Sequence, residues 1–488
     1  MVTKESGFKK SLGLFDSTAI VIGSMIGSGI FIVSADMSRQ LGSPGWLMVV
    51  WLVTGLMTIF AAVSYGELAS MFPRAGGQYV YIREAYNPLS GFLYGWTLFL
   101  VIQTGTIAAV GMAFAKFFGV LVPWFSEKHI LFDLGFLKIN PVQLLAISTI
   151  LLLTYLNSYG IRFGKIIQNS FTFTKVAALL GFIIIGLFLV SDINAITLNK
   201  QIFWDAVSFN GKNTVSLTGF ALLAAMGTAA VGSLFSSDAW NNITFTGAEV
   251  KNPKKNLGLS LFLGTLIVTI LYLLANIVYL QVLPLRGTPD GATVFERGIQ
   301  FATNDRLGTA ALSNLFGISA AIIMAVFIVI STFGCNNGLI LSGARVYYAM
   351  ARDGLFFKKV GKLNKNNVPA AGLFVQGIWA SLLCLSGTYG QLLDYVVFAV
   401  LIFYVMTIVG IFILRYKKPD LERPYKAFGY PVIPAIYILI ASFIMIDLLI
   451  YKPDFTWPGL IIVLIGVPVY YVWRWWNLKK GVAGNIDQ

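Results

Sequence analysis

The chain has 488 residues, of which 57% are hydrophobic and only 11% charged. A soluble domain carries about 25% charged residues, so this balance excludes a soluble globular protein and points to a polytopic membrane protein. The formal net charge of +14 would suit nucleic acid, but its placement along the chain gives it a different meaning.

Residues 1–13 are charged and show no small-residue cleavage site ahead of the first apolar run. A short cytoplasmic tail is expected there, with no cleavable leader. Runs able to cross a bilayer, about 20 mostly apolar residues each, then recur along the chain. Twelve are read, at 14–37, 46–71, 89–122, 142–159, 166–190, 215–245, 257–282, 310–350, 370–384, 392–414, 433–451 and 457–475. The third, sixth and eighth are long enough to tilt or to leave the membrane, and the ninth is short. Lysines and arginines cluster at Lys251, Lys254 and Lys255, at Lys358, Lys359, Lys362 and Lys365, and at Arg415, Lys417, Lys418, Arg423 and Lys426. With both termini inside, all three clusters fall on the cytoplasmic side, as the positive-inside bias requires. The basic balance therefore reports orientation.

The first run contains "VIGSMIGSGIF", with Gly23, Gly27 and Gly29 at its centre. Glycine is a poor helix former, and two accounts compete. Gly23 and Gly27 form GxxxG, which lets membrane helices pack closely. Alternatively the helix breaks there, and its free backbone groups line a binding cavity. Packing predicts nothing elsewhere, whereas a broken-helix transporter predicts a partner break in a second, inverted half.

The fifth run opens "IRFGKIIQNSFTFTKVAALLGF" and places Lys175 about 15 Å into the membrane, ten residues past Lys165. Snorkelling is the bland account, but a four-carbon stem does not easily return from that depth. The sixth run supplies the partner break. Its centre, "GSLFSSDAWNN", holds two adjacent serines, an aspartate and two asparagines, residues whose side chains compete for backbone hydrogen bonds. Asp238 lies about 13 residues before Lys251, roughly 20 Å from the cytoplasmic face, and an acid at that depth is a functional candidate by default. It has three readings: neutralising an ammonium group, capping the second half of the helix, or pairing with a lysine. The residues alone leave the three open.

The two break-containing runs start five spans apart, an odd number, so they enter from opposite sides. This gives an all-α fold of twelve helices with an inverted five-plus-five repeat, broken in helices one and six. The repeats are expected at 14–190 and 215–414, accessory helices at 431–476 and a cytoplasmic tail at 477–488. The eighth run adds Asn336 and Asn337 in mid-span; they need partners, and either face the central cavity or bridge helices.

The remaining inventory is sparse. Cys335 and Cys384 both fall in apolar runs and form no disulfide framework or metal-ligand spacing. The lone histidine, His129, reads as a loop residue. No GxxxxGK[ST] phosphate loop appears, so nucleotide hydrolysis within this chain is not expected. An intramembrane enzyme would have to use Asp238 with Lys175, which ligand and ion-site chemistry explains more simply.

At "GSMIGSGIF" and "LFSSDAWNN…GAEVKNPKKNL" the chain resembles the amino acid–polyamine–organocation superfamily, and within it the L-type amino acid transporters and their bacterial serine/threonine-exchanger relatives. "YGELASMFPRAGGQYVYIREAYNP" and "GARVYYAMARDG" support the likeness. Ser237 departs from the frequent FSYDGW pattern, which leaves substrate size and preference open. The resemblance implies that Ser28 and Gly29 hold a substrate carboxylate, with Gly27 providing the turn. It implies that carbonyls at Met25, Phe235 and Ser236 meet the ammonium, that Phe235 acts as an external lid, and that the Lys175 ammonium replaces a sodium ion between helices one, five and eight. For Asp238 the family resemblance favours the cap. Eukaryotic L-type members carry a cysteine between spans three and four, where they join a glycoprotein subunit; this chain has none there, so no disulfide-linked heavy chain is expected.

The resulting expectation is a secondary transporter of small neutral L-amino acids in the plasma or inner membrane, a sodium-independent exchanger with no cofactor and no nucleic-acid partner. A proton-coupled permease for cationic amino acids or polyamines, with Asp238 as counter-charge, is the alternative. A non-transporting sensor is the alternative from another class.

Overall fold

A computed structural model describes residues 8, 10–133, 138–189, 191–211, 213–385 and 389–479. Among them, eleven helices are long and apolar enough to cross a membrane. The expected ninth span is the helix Ala370–Leu383, only 14 residues long; at 1.5 Å per residue it covers about 21 Å, short of the bilayer core of about 30 Å.

Local chemistry starts several spans where expected. Span two, Pro44–Met71, has proline in its first turn and the Ser43 side chain accepting from the Trp46 N–H. Span four, Pro141–Ser158, opens with a reciprocal Asn140–Gln143 capping box. Such caps satisfy amides that a helix leaves unpaired at its start.

Other boundaries differ from the reading of the apolar runs. The run at 310–350 is two helices, Leu307–Phe316 and Ile318–Arg352, parted at Gly317 with φ +77°, a conformation glycine adopts without steric cost. The run at 215–245 begins too early: Asn213–Ser216 is a strand paired with Val207–Asn210, and the helix starts only at Gly219. Span three passes through a π-helical turn, Leu98–Ile102, between Pro88–Thr97 and Gln103–Leu121. Span five, Ile161–Ile184, ends in another, Ile185–Leu189. Spans seven, ten, eleven and twelve are Pro253–Val282, Tyr389–Lys417, Val432–Tyr451 and Pro453–Lys479.

Both suspected breaks are present. Span one is Leu14–Met25, a short 3-10 turn at Gly29–Phe31, then Val33–Leu41. Span six is Gly219–Ser236, an irregular stretch, then Asn242–Phe245. Helix packing carries an internal symmetry. Span one packs on six, two on seven, three on eight and four on nine; one also packs on seven and five, while six packs on two and ten. Spans three and ten touch, as do eight and five. Exchanging each span with the one five places away maps this set onto itself, as a repeated five-helix unit requires. Spans eleven and twelve pack on span ten, and span eleven also lies against span six.

Candidate functional site

The first half-helix of span one ends at Met25, and Ile26 leaves helical geometry with ψ 94°. A helix end strands its last carbonyls, and in a membrane interior no water is at hand to take them. Five consecutive carbonyls here are taken by side chains from three other spans. Lys175 Nζ donates to Gly23 O at 2.5 Å and to Ile26 O at 2.7 Å. Cys335 Sγ donates to Ser24 O at 3.0 Å, and Tyr272 Oη to Met25 O at 3.0 Å. Ser331 Oγ reaches Ile26 O and Gly27 O at 3.3 and 3.2 Å. The Lys175 side chain is 2% exposed, and its cation sits at the negative end of the half-helix, where the dipole favours it.

The amides beyond the break are arranged differently. The N–H groups of Phe31 and Ile32 close the 3-10 turn onto Ser28 O and Gly29 O, whereas those of Gly27 and Gly29 donate to no backbone acceptor among the described residues. These donors begin the outgoing half of the helix, whose positive end favours an anion.

Span six breaks opposite. Ala239 has φ +64°, a left-handed conformation costing a non-glycine residue about 1–2 kcal/mol. The break is therefore imposed by its surroundings and not by glycine. Asp238 Oδ1 accepts from Tyr404 Oη of span ten at 2.6 Å. The following helix, Asn242–Phe245, has Asn241 at its start and no side-chain cap. Asp238 does not cap that short helix; its carboxylate accepts from Tyr404 of span ten and from the backbone N–H of Ala239 beside it.

The glycines divide the two roles proposed for them. A Cβ on Gly23 would stand 2.1 Å from Gln168 Nε2 and 2.3 Å from Thr172 Oγ1 of span five, so Gly23 serves close packing. On Gly29 it would stand 2.8 Å from Ser236 Cα, a backbone atom that cannot swing aside. Gly29 is what lets the two breaks touch. Between them lies a narrow cleft lined by Gly27, Ser28, Gly29, Phe235, Ser236 and Asp238, closed by Thr106 and Val110 of span three and Cys335 of span eight. It has room for about one water. Two further clefts also reach Asp238, one towards Gln78, Gln103 and Asn241, the other towards Trp240 and Tyr437.

The structure thus brings together Met25, Gly27, Ser28, Gly29, Phe235, Ser236 and Asp238 at one cleft, with Lys175 behind the span-one break. The carbonyls expected to meet an ammonium already have partners: the single Tyr272 hydroxyl proton is shared between Met25 O and Ser236 O, at 3.0 and 3.1 Å from Oη, and Phe235 O accepts from the Asp238 N–H at 3.2 Å. Each carbonyl keeps a second lone pair. Asn337 bridges helices, accepting from Asn157 Nδ2 at 2.9 Å and donating to Gln168 Oε1 at 3.4 Å. The Asn336 amide is buried beside Gly111 of span three and has no hydrogen-bond partner among the described residues. Neither asparagine lines the cleft at the breaks. Tyr272, Ser331 and Tyr404 carry much of the geometry, and the sequence reading overlooked all three. A tyrosine or serine inside an apolar run gives no sign of where its hydroxyl goes.

Comparison with known proteins agrees with this architecture. The amino acid permease family model matches residues 12–470. Large neutral amino acids transporter small subunit 2 of Mus musculus is 30% identical over 472 residues, covering 96% of this chain and 82% of that protein. The Homo sapiens protein of the same name matches equally, and b(0,+)-type amino acid transporter 1 of Mus musculus is 28% identical over 491 residues, covering 99% and 92%. With two facing helix breaks at its centre and a family match over nearly its whole length, the chain belongs to the amino acid permease family, membrane transporters and not enzymes.

Proposed function

We propose that this chain exchanges small neutral L-amino acids across the plasma or inner membrane by alternating access, without sodium. The observation that carries the reading is the close approach of the two breaks, with Gly29 against Ser236, and the amides of Gly27 and Gly29 beside the cleft, which donate to no backbone acceptor among the described residues. A substrate carboxylate lies on the span-one amides, its ammonium on the carbonyls of Met25, Phe235 and Ser236, and Phe235 covers it from outside. The cleft's narrowness supports a closed state that must part to admit substrate. Sodium independence rests on Lys175: a sodium ion between spans one, five and eight would need carbonyls that the ammonium already takes. The names of the relatives, which include a large neutral amino acids transporter, favour neutral substrates.

Both termini lie in the cytoplasm, with the two inverted repeats formed by spans one to five and six to ten. The chain works without a disulfide-linked partner. Its two cysteines are 2% and 0% exposed, and such a bond needs an accessible thiol. The second reading, a proton-coupled permease for cationic amino acids, is favoured by one observation, that Asp238 is reached from all three clefts.

The test is uptake of labelled L-serine and L-leucine into sodium-free proteoliposomes, with and without unlabelled amino acids inside. Strong stimulation by the internal amino acids is expected. Uptake that ignores internal substrate and follows an inward proton gradient would replace exchange by symport, and uptake of L-lysine alone would favour the second reading.

A further inference from the structure

Span eleven carries an acidic side chain that the cleft does not use. Asp447, in "FIMIDLLI", is 3% exposed, and its Oδ2 is covered and has no hydrogen-bond partner among the described residues. Seated in the first half of span six, Gly227 makes room for it: a Cβ there would stand 2.2 Å from Asp447 Oδ2. The carboxyl therefore rests in a notch on the very half-helix that ends at Phe235 and Ser236.

Among the described residues, no charge compensates it. Span six offers no ionisable side chain along Gly219–Ser236. On span ten, Asp394 is paired with Lys452 at 3.4 Å, Tyr404 donates to Asp238, and Arg415 is paired with Glu67 of span two at 2.6 Å. Span two also brings Tyr65; span twelve brings Asp454, Tyr470, Tyr471 and Arg474; span eleven itself brings Tyr437 and Tyr451. Among the described residues, none of these forms an ion pair or hydrogen bond with Asp447.

An ionised carboxylate withdrawn from water without a partner is among the costliest groups to bury, and the cost disappears when it takes up a proton. We propose that Asp447 is a proton-binding site, protonated while seated against Gly227 and releasing its proton to water near Tyr451 when the first half of span six moves away. The sign follows by linkage. The packed arrangement binds the proton more tightly, so acid favours it and rising pH favours the displaced one. Gly227 is eight residues from Phe235 on one half-helix, about 12 Å along its axis, so a shift that opens the cleft also moves the seat.

Two measurements decide the matter. In lipid at pH 7, infrared difference spectra of the wild type against Asp447→Asn should show the C=O stretch of a protonated carboxylic acid that fades as pH is raised. Absence of that band overturns the proposal, whatever the transport activity. In proteoliposomes, the exchange rate should change by about threefold or more between pH 5 and 8 in the wild type and by much less in Asp447→Asn. Identical pH profiles, or a wild-type rate indifferent to pH, overturn the coupling. This arm rests on the proposed transport, and failure of neutral amino acid exchange altogether would count against that function while the infrared result still decides the proton site.

Discussion

Lys175 and Ile26 lie on different spans, yet the ammonium of the first donates to the carbonyl oxygen of the second at 2.7 Å, at the residue where the first half-helix stops. A cation placed there takes carbonyls that the end of the half-helix leaves unpaired. Lys175→Met keeps the bulk and removes the donor, leaving Gly23 O and Ile26 O short of a charged hydrogen bond each, at about 1.5–3 kcal/mol apiece. Exchange should fall by about tenfold or more, and thermal unfolding in detergent should come earlier. Normal uptake with unchanged pH and sodium dependence in this variant would remove Lys175 from the ion-site role.

Gly29 and Ser236 set the distance between the breaks. Gly29→Ala should weaken substrate binding at least tenfold while the protein still reaches the membrane, because the added methyl meets backbone and not a mobile side chain. Gly181→Ala on span five is the control: nothing lies within 4 Å of its Cβ position, and alanine favours helix by about 1 kcal/mol. Scintillation proximity binding on both variants checks this, and equal affinities would return Gly29 to ordinary packing.

Tyr404 is the one hydrogen-bond donor from another span that reaches the Asp238 carboxylate among the described residues. Tyr404→Phe keeps the ring and removes that bond, leaving the carboxylate underpaired at a cost of about 1–3 kcal/mol. The apparent affinity for substrate should shift by about tenfold, read from competition curves. Tyr272→Phe, which frees Met25 O and Ser236 O together, should show a comparable loss.

Arg345 of span eight and Glu249, at the end of span six, form an ion pair at 2.9 Å with both side chains almost fully covered. The backbone N–H groups of Ser11 and Leu12 donate to Glu249 O at 2.9 and 3.0 Å, so the pair also anchors the start of the chain. Arg345→Met alone should cost about 3–5 kcal/mol by stranding the carboxylate, and the double variant Arg345→Met, Glu249→Leu should be less destabilised than the sum. Scanning fluorimetry on the four proteins of the cycle measures the coupling; strict additivity would show that the two charges do not support each other.

The sequence by itself determined the membrane class, nearly all the spans and both breaks. These follow from composition, from run length against bilayer thickness, and from residue types that resist helix. It did not place the start of span six or the division at Gly317, because strand and helix look alike in a short apolar stretch and one glycine is tolerated in many helices. Tertiary structure alone decided which glycine packs and which permits the breaks to meet, that Asp238 turns to Tyr404, and that Asn337 bridges while Asn336 stands apart. It also exposed Asp447, an acid that reads as one polar residue in an apolar run until span six is laid against it. Partners far apart in the chain supply the hydrogen bonds that a broken helix leaves open, and no local pattern records which distant hydroxyl, amide or ammonium will arrive.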